Sequence, residues 1–466
     1  MDSALNQTGG DFARVRADFD LPERFPAAAL TEAAAAVAAG PRGSRVDRTD
    51  LPFVTVDPPG AKDLDQAMHL ERRGDGYRLH YAIADLGAFV DPGGAIDEVA
   101  RTRGQTVYLP DGNVPLHPTA LSEGAASLLP DQRRPAALWT IDLDPDGNPV
   151  GADVRRAWVR SVAQFDYETV HADIDAGRAH PSLALLPEVG ALRRALAIKR
   201  GAVELQLPEQ DIERDGDTWG LVLRPRTPVD AWNAELSLLT GMCAAQLMLR
   251  AGIGVLRTLP PADDNAIEWL RRSAAVLGIE WPADASAAEL LATLDPTDPA
   301  ALALFMDATR LLRGAGYTVF DGELPEVVTH AGIAAAYAHV TAPLRRLVDR
   351  FGTEICLAVS AGEPVPQWVR AALPLLPGLM ETSDSYAAKV DRACLDQVEA
   401  WVLGDRVGAE FDAVVLRAEA TVAEIFVPEP PVLAKAAGEG QREGERVRVR
   451  LTATDPIRRR VTFERA

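Results

Sequence analysis

Residues 55–67 read T-V-D-P-P-G-A-K-D-L-D-Q-A and follow the short apolar run at 51–54. This pattern predicts a strand that ends in a proline turn and then continues as an extended segment. Asp57, Asp63 and Asp65 come from the turn and its flanks, which can bring three carboxylates to one point. Such carboxylates repel one another and need a compensating cation, and oxygen ligands of this kind suit Mg²⁺ or Mn²⁺. The same D-x5-D-x-D spacing is also common in solvated acidic turns.

The stretch resembles the metal-binding signature of the RNB-domain exoribonucleases, the family of ribonuclease II and ribonuclease R. The family pattern is an apolar run, T-[IV]-D, a five-residue spacer and D-x-D-D-A, in which four aspartates hold Mg²⁺ at the scissile phosphate. The resemblance implies an Mg²⁺ or Mn²⁺ site formed by Asp57, Asp63, Asp65 and Gln66, with Asp65 also catalytic. Gln66 stands where the family has its fourth aspartate. Since a glutamine brings no charge, we expect weaker metal binding and lower activity.

The chain has 466 residues, 47% of them hydrophobic, which predicts a globular protein with a large core. Its cysteines, at positions 243, 356 and 394, are far apart and form no C-x-x-C pair, which fits a reducing compartment. The first residues have neither a basic start nor an apolar segment, and no apolar run is long enough to span a membrane. We therefore expect a cytoplasmic protein without a membrane partner.

The net charge of −20 is the main observation against a nucleic-acid partner, because phosphate backbones are bound by lysine and arginine. Net charge does not determine how the charges are distributed, however. An acidic exterior around a basic channel is compatible with threading one RNA strand.

A second resemblance lies in residues 103–130, whose R-G-Q-T-V-Y-L-P and P-L-H-P-T-A-L-S segments are similar to the family's R-G-x-S-V-Y-L-P and I-P-M-L-P-x-x-L-S. The family's tyrosine at the place of Tyr108 stacks on a base near the 3′ end, and stacking tolerates every base. Without this context, a single tyrosine would more often be a core or interface residue.

A third resemblance lies in residues 337–350, Y-A-H-V-T-A-P-L-R-R-L-V-D-R, against the family's Y-x-H-F-T-S-P-I-R-R-Y-x-D. Thr-x-Pro before two arginines predicts a capped helix start, where backbone N–H groups and guanidinium groups can face a phosphate. Arg345 is the candidate for stabilising the charge that builds on the phosphorus oxygens, and Arg346 for contacting RNA. An R-R pair on an ordinary helix would instead face solvent.

Two acidic residues on predicted helices are further RNA-binding candidates. Glu235 matches a substrate-lining glutamate of the family, although an acid near a helix start also complements the helix dipole. Asp391, before Arg392, matches the acid of a family E-R pair. Residues 200–209 resemble R-G-A-L-D-F-D-L-P-E with Leu205 in place of the aromatic residue, which predicts a looser hold on short products.

The predicted fold class is α+β: a large RNB catalytic domain with a mixed sheet and helices, followed by a small OB-type β-barrel. We expect a short helical lead-in at 1–48, with no room for the cold-shock domains of larger members, the catalytic domain at 49–403 and the barrel at 404–466. Residues 431–466 hold nine lysines and arginines against five acids, a local +4. Arg446, Arg448 and Arg450 alternate with apolar residues and would form a basic RNA-binding face, or an ordinary solvated one.

The resemblance implies a metal-dependent hydrolytic 3′-to-5′ exoribonuclease that degrades single-stranded RNA to nucleoside 5′-monophosphates. We expect no action on DNA and a monomeric protein. Two alternatives stay open: a catalytically impaired RNB protein that binds RNA, and a metal-dependent phosphodiesterase with a small substrate.

Overall fold

A computed structural model describes residues 11–207, 209–216, 218–224 and 226–466, so the first ten residues of the predicted lead-in lie outside it. The described helices are α1 (Ala13–Asp18), α2 (Ala27–Ala39), α3 (Ala95–Arg103), α4 (Tyr167–Asp175), α5 (Leu186–Arg200), α6 (Pro228–Ala251), α7 (Asp264–Val276), α8 (Ala287–Thr293), α9 (Pro299–Ala308), α10 (Leu347–Ala361), α11 (Gln367–Ala372) and α12 (Leu376–Val402). The described strands are β1 (Val46–Asp47), β2 (Phe53–Val56), β3 (Gln66–Arg73), β4 (Gly76–Ala84), β5 (Val107–Leu109), β6 (Gly112–Val114), β7 (Arg133–Leu143), β8 (Pro149–Phe165), β9 (Gln210–Asp215), β10 (Thr218–Leu223), β11 (Ile253–Thr258), β12 (Gly316–Asp321), β13 (Glu410–Ala418), β14 (Val422–Pro428), β15 (Pro431–Ala437), β16 (Arg446–Asp455) and β17 (Arg460–Arg465).

The main sheet has the strand order β1-β8-β2-β3-β4-β7, and β7 also pairs with β8. This arrangement is possible because β8 is 17 residues long. Its first part is antiparallel to β7, and its last residues run parallel to β2. The mixed sheet and the helices around it confirm the predicted α+β class.

The loop between β2 and β3 carries the aspartate motif. Strand β2, F-V-T-V, is entirely buried, which explains the apolar run that precedes Asp57. The chain then turns through Pro58 and Pro59 to Gly60, whose φ of +81° favours glycine, and re-enters extended structure at Gln66. The predicted strand, turn and second extended segment are therefore present.

Helix α6 contributes residues to two different cavities of the molecule. It begins with a capping box between Thr227 and Asp230 and ends at Gly252 in a left-handed conformation. Its apolar residues pack on the main sheet and α10 in the largest core cluster, as expected for a helix that is apolar all round. Because successive residues point to different sides, Asn233 and Glu235 face different cavities.

The C-terminal strands close into a barrel in the order β13-β14-β15-β17-β16. On β16, Val447, Val449 and Leu451 are buried, and the arginines between them are exposed. The predicted C-terminal β-barrel and its alternation are thus confirmed.

Helices α12 and α9 are among the elements that pack against the barrel. Helix α12 packs beside the barrel in a shared apolar cluster, and α9 inserts Leu302 against Val414 and Phe426. Strand β1 belongs to the main sheet although the predicted boundary, at residue 48, assigns it to the lead-in; the domain boundaries stay predictions. Among the described residues, no helix is both long and apolar enough to cross a membrane.

Candidate active site

A cavity of about 590 Å³ collects the residues of the aspartate motif. The β2–β3 loop supplies its acidic wall, the β5–β6 hairpin supplies Tyr108, and the segment before α10 supplies Arg345. The polar residues that line it are Asp57, Lys62, Asp63, Asp65, Gln66, Tyr108, Asn113, Glu123, Tyr167, Asn233 and Arg345. Segments far apart in the sequence therefore meet at the predicted metal motif.

Asp65 is the most deeply buried acid of the cavity, with 4% of its surface exposed. One carboxylate oxygen accepts a hydrogen bond from the Leu344 N–H at 2.8 Å. The other lies 3.4 Å from Nε of Arg345 and has no hydrogen-bond partner. Burial raises the pKa of Asp65 well above its usual range, with Arg345 and the Leu344 N–H acting in the opposite direction.

Asp57 and Asp63 form the rest of the acidic wall. Asp57 has a buried carboxylate oxygen without a hydrogen-bond partner, and burial, helped by the charge of Asp63, raises its pKa to about 7. Asp63 accepts a hydrogen bond from the Tyr108 hydroxyl at 2.9 Å. Buried carboxylates without partners are costly, and a divalent cation would compensate them.

The donor chemistry of this wall fits a hard cation, because its carboxylate and amide oxygens suit Mg²⁺ or Mn²⁺. In the described part of the chain, however, no three His, Cys, Asp or Glu side chains are grouped closely enough to hold a metal ion as they stand. The metal ligands therefore stay a prediction.

Gln66 lies at the start of β3, and its side-chain oxygen accepts a hydrogen bond from the buried Tyr81 hydroxyl. One lone pair of the amide oxygen is therefore already used. A ligand role for Gln66 would have to rely on the second lone pair.

The two arginines before α10 have different environments. Arg345 lines the cavity with 48% of its side chain exposed. Arg346 is largely buried and forms an ion pair with Asp349, with Nη2 donating at 2.8 Å. It does not line the cavity of the aspartates, and its proposed RNA contact stays a prediction.

The helix start predicted at Thr341 is wrong, because α10 begins at Leu347. The backbone N–H groups of the intervening turn are taken by carboxylates: Ala342 donates to Asp349 at 2.7 Å, and Leu344 donates to Asp65. The turn thus orients the acid of the cavity, instead of presenting free N–H groups to a phosphate.

The remaining predicted RNA-binding residues lie apart from this cavity. Glu235 lines a second cavity of about 530 Å³ on another side of α6. Asp391 is exposed on α12. On the barrel, Arg448 pairs with Asp412 and Glu410, and Arg450 pairs with Glu410 and Glu464, so neighbouring acids reduce the positive charge of that face, to which Arg446 also belongs.

Several residues that line the cavity are additions to the predicted site: Lys62, Asn113, Glu123, Tyr167 and Asn233. The Asn233 side chain donates to the Tyr167 hydroxyl at 3.4 Å, and both residues line the cavity. Asn233 carries no signal in the sequence. Leu205, at the predicted second base-clamp position, packs in the apolar cluster of α7–α9 and does not line the cavity.

Comparison with known families gives two matches that follow the two parts of the fold. The RNB domain matches residues 45–354, well over half of the chain. The RNase II-type exonuclease C-terminal S1 domain matches residues 409–466, which form the five-stranded barrel.

Individual relatives agree with these matches. Exoribonuclease 2 of Photorhabdus laumondii is 29% identical over 344 residues, which cover 69% of this chain and 52% of the relative. The apo form of Mycoplasma genitalium RNase R superposes with a TM-score of 0.86 at 19% identity, over 98% of this chain and 77% of the other. Yeast Ssd1, described as a pseudonuclease, has a TM-score of 0.72 at 16% identity, over 89% of this chain and 54% of its own. The chain spans about half the length of the curated relative it matches.

Proposed function

Since the chain belongs to the RNB-domain family, we propose that it is an exoribonuclease that hydrolyses single-stranded RNA from the 3′ end and releases nucleoside 5′-monophosphates. One observation carries the proposal: the motif aspartates and Arg345 line one cavity inside the matched RNB domain. An acidic wall beside a single accessible guanidinium suits a phosphodiester and a divalent cation, and it does not suit a neutral substrate.

Asp57, Asp63 and Asp65 would hold Mg²⁺ or Mn²⁺, with Gln66 contributing its free lone pair. Such an ion supplies an activated water and neutralises charge on the phosphate. The Leu344 N–H holds the carboxylate of Asp65 in place, and the Tyr108 hydroxyl does the same for Asp63. These hydrogen bonds orient the acids before any substrate arrives.

Arg345, which lies beside Asp65, would bind the phosphate directly. Its guanidinium is anchored loosely by Asp65, at 3.4 Å, and is about half exposed. It can therefore donate hydrogen bonds to the non-bridging phosphate oxygens, where negative charge increases in the transition state.

Tyr108 would hold a base near the 3′ end. Its residue surface is 48% exposed, and the hydrogen bond to Asp63 fixes the ring at the rim of the acidic wall. An exposed aromatic ring of this kind is a stacking platform that accepts every base. Glu235, Arg346, Asp391 and the arginines of β16 remain proposed RNA contacts.

A second candidate function is RNA binding without degradation, and the hydrogen bond from Tyr81 to Gln66 favours it. At the fourth ligand position, the chain has a neutral amide whose oxygen is partly occupied. Metal binding could then be too weak for hydrolysis, while the cavity still accepted RNA.

Incubation of the chain with 5′-labelled single-stranded RNA and Mg²⁺ or Mn²⁺, analysed on a sequencing gel, separates the two functions. The degradation proposal predicts a ladder that shortens to a small end product, absent in Asp65→Asn and retained in Asp75→Asn, which changes an exposed turn aspartate. An intact substrate with both metals, together with an RNA shift on a native gel, would establish the binding protein instead. If neither occurs, both proposals fail.

A further inference from the structure

A third cavity, of about 330 Å³, lies between α5, α6 and the turn that joins β7 to β8. Three arginines line it: Arg193, Arg200 and Arg250. No aspartate or glutamate is among the described residues that line it. Gln246 of this cavity and Asn233 of the acidic cavity are roughly 20 Å apart along α6 and about 140° apart around its axis. The two sites are therefore separate.

Arg193 is the central observation, because only 2% of its surface is exposed. Its Nη1 donates to the Gly147 carbonyl at 2.9 Å, and its Nε has no hydrogen-bond partner. Within the described ranges, it forms no ion pair with a carboxylate. A buried guanidinium without a directly paired carboxylate is costly, so an anion at this position would be strongly favoured.

Arg200 and Arg250 extend the same positive site. Arg200 also has a buried Nε without a partner, and Arg250 is exposed at the end of α6. Neither has a carboxylate partner among the residues that the structure describes. Arg193 and Arg200 line the same cavity. Burial lowers the pKa of Arg193; the charge of Glu235 opposes this effect, and the charge of Arg200 adds to it.

Glu235 is the acid that compensates part of this charge. It acts on both Arg193 and Arg200 but forms no hydrogen bond through its buried Oε2, and it lines the neighbouring cavity. One carboxylate against three arginines leaves a net positive site within a chain of charge −20.

We propose that Arg193, Arg200 and Arg250 form a binding site for a phosphate dianion, supplied by inorganic phosphate or by a small phosphomonoester. Guanidinium groups bind phosphate oxygens in pairs, and two or three of them suit a dianion. Gln246 also lines the cavity and can add a neutral donor, whereas the Asn148 side chain already donates to Asp144. No aromatic side chain lines it in the described chain, so it has no stacking platform for the bases of an RNA strand.

A bound phosphate would connect three segments: α5, α6 and the β7–β8 turn. Because it binds the native state and not the unfolded chain, it should raise the thermal unfolding temperature in a saturable way. An equal ionic strength of chloride should not reproduce this increase.

The test uses the full chain carrying the Arg345→Gln substitution, in the presence of EDTA. Phosphate can then bind neither a metal ion nor the Arg345 guanidinium in the acidic cavity. Isothermal titration and thermal unfolding are recorded with inorganic phosphate, with adenosine 5′-monophosphate and with chloride at equal ionic strength. We expect one saturable site whose affinity falls at least tenfold when Arg200→Gln and Arg250→Gln are combined. The matched control combines Arg272→Gln and Arg313→Gln, two exposed arginines, and should bind as before.

Arg193→Gln provides a second test that does not depend on Arg200 and Arg250, provided that circular dichroism shows a folded chain. Phosphate binding without nucleotide binding would identify inorganic phosphate, and binding of both would identify phosphomonoesters. The proposal is overturned if phosphate and chloride act alike, or if the control loses binding equally. It is also overturned if phosphate does not bind and the combined Arg200→Gln and Arg250→Gln substitutions weaken the binding of single-stranded RNA. The arginines would then belong to an RNA-binding surface.

Discussion

The acidic cavity and the arginine cavity lie on different sides of α6. Each contains buried charged groups that nearby opposite charges compensate only in part. On one side, Asp57 and Asp65 have carboxylate oxygens without hydrogen-bond partners, with Arg345 as the nearby cation. On the other, Arg193 and Arg200 have Nε atoms without partners, with Glu235 as the nearby acid. Net charge alone therefore says little about binding, because one chain can bury sites of both signs.

Arg345→Gln tests whether the guanidinium of the acidic cavity stabilises the transition state. We expect kcat for RNA degradation to fall about 10²–10³-fold, with KM changed little, because the guanidinium acts on charge that develops during reaction. Single-turnover and steady-state kinetics beside Arg272→Gln provide the measurement. A rise in KM at constant kcat would mean that Arg345 only binds substrate.

Arg193→Met tests the opposite cavity through stability. Without phosphate, we expect the variant to be more stable than the original chain by about 2 kcal/mol, since an apolar side chain replaces a buried charge that Glu235 compensates only in part. Urea unfolding with and without phosphate measures this difference, and phosphate should stabilise only the original chain. A variant that is less stable under both conditions would show that Arg193 is already compensated.

Tyr108→Ala tests whether the rim of the acidic cavity binds RNA bases. We expect RNA affinity to fall by roughly 1.5 kcal/mol, whereas Tyr108→Phe keeps the ring and should lose much less. Fluorescence anisotropy with Asp65→Asn, which prevents degradation, gives both affinities. Equal losses in the two variants would indicate that the hydroxyl contact with Asp63 matters and stacking does not.

Gln66→Asp tests the missing charge of the acidic wall. We expect half-maximal activity at a several-fold lower Mg²⁺ concentration, because a carboxylate replaces an amide among the ligands. The activity is titrated against Mg²⁺ and compared with Gln367→Asp, which changes an exposed glutamine at the start of α11. An unchanged Mg²⁺ dependence would remove Gln66 from the ligand set.

The fold and part of the acidic cavity could be predicted from the sequence, because their signals are local. Strand β2, the proline turn and the alternating residues of β16 carry clear patterns, and the aspartates are close in the chain. Family likeness identified Tyr108 and Arg345, which line the same cavity. The start of α10 was misplaced, because the Leu344 N–H is taken by Asp65, a residue 279 positions away.

The arginine cavity could not be predicted, because its burial depends on tertiary contacts. Arg193 and Arg194 look like a solvated pair on a helix. Only the approach of the β7–β8 turn, with Gly147 at a φ of +82°, covers Arg193. The hydrogen bond between Tyr81 and Gln66 likewise depends on the register of β3 and β4.

The hydrogen bond between Leu344 and Asp65 also has a consequence for synthesis of the chain. At about 5–20 residues per second, the aspartate leaves the ribosome roughly 15–55 s before the backbone group that orients it. Nascent chains that end before this point lack both Leu344 and Arg345. The acidic cavity of a growing polypeptide is therefore incomplete until at least residue 345 of the 466 has been added.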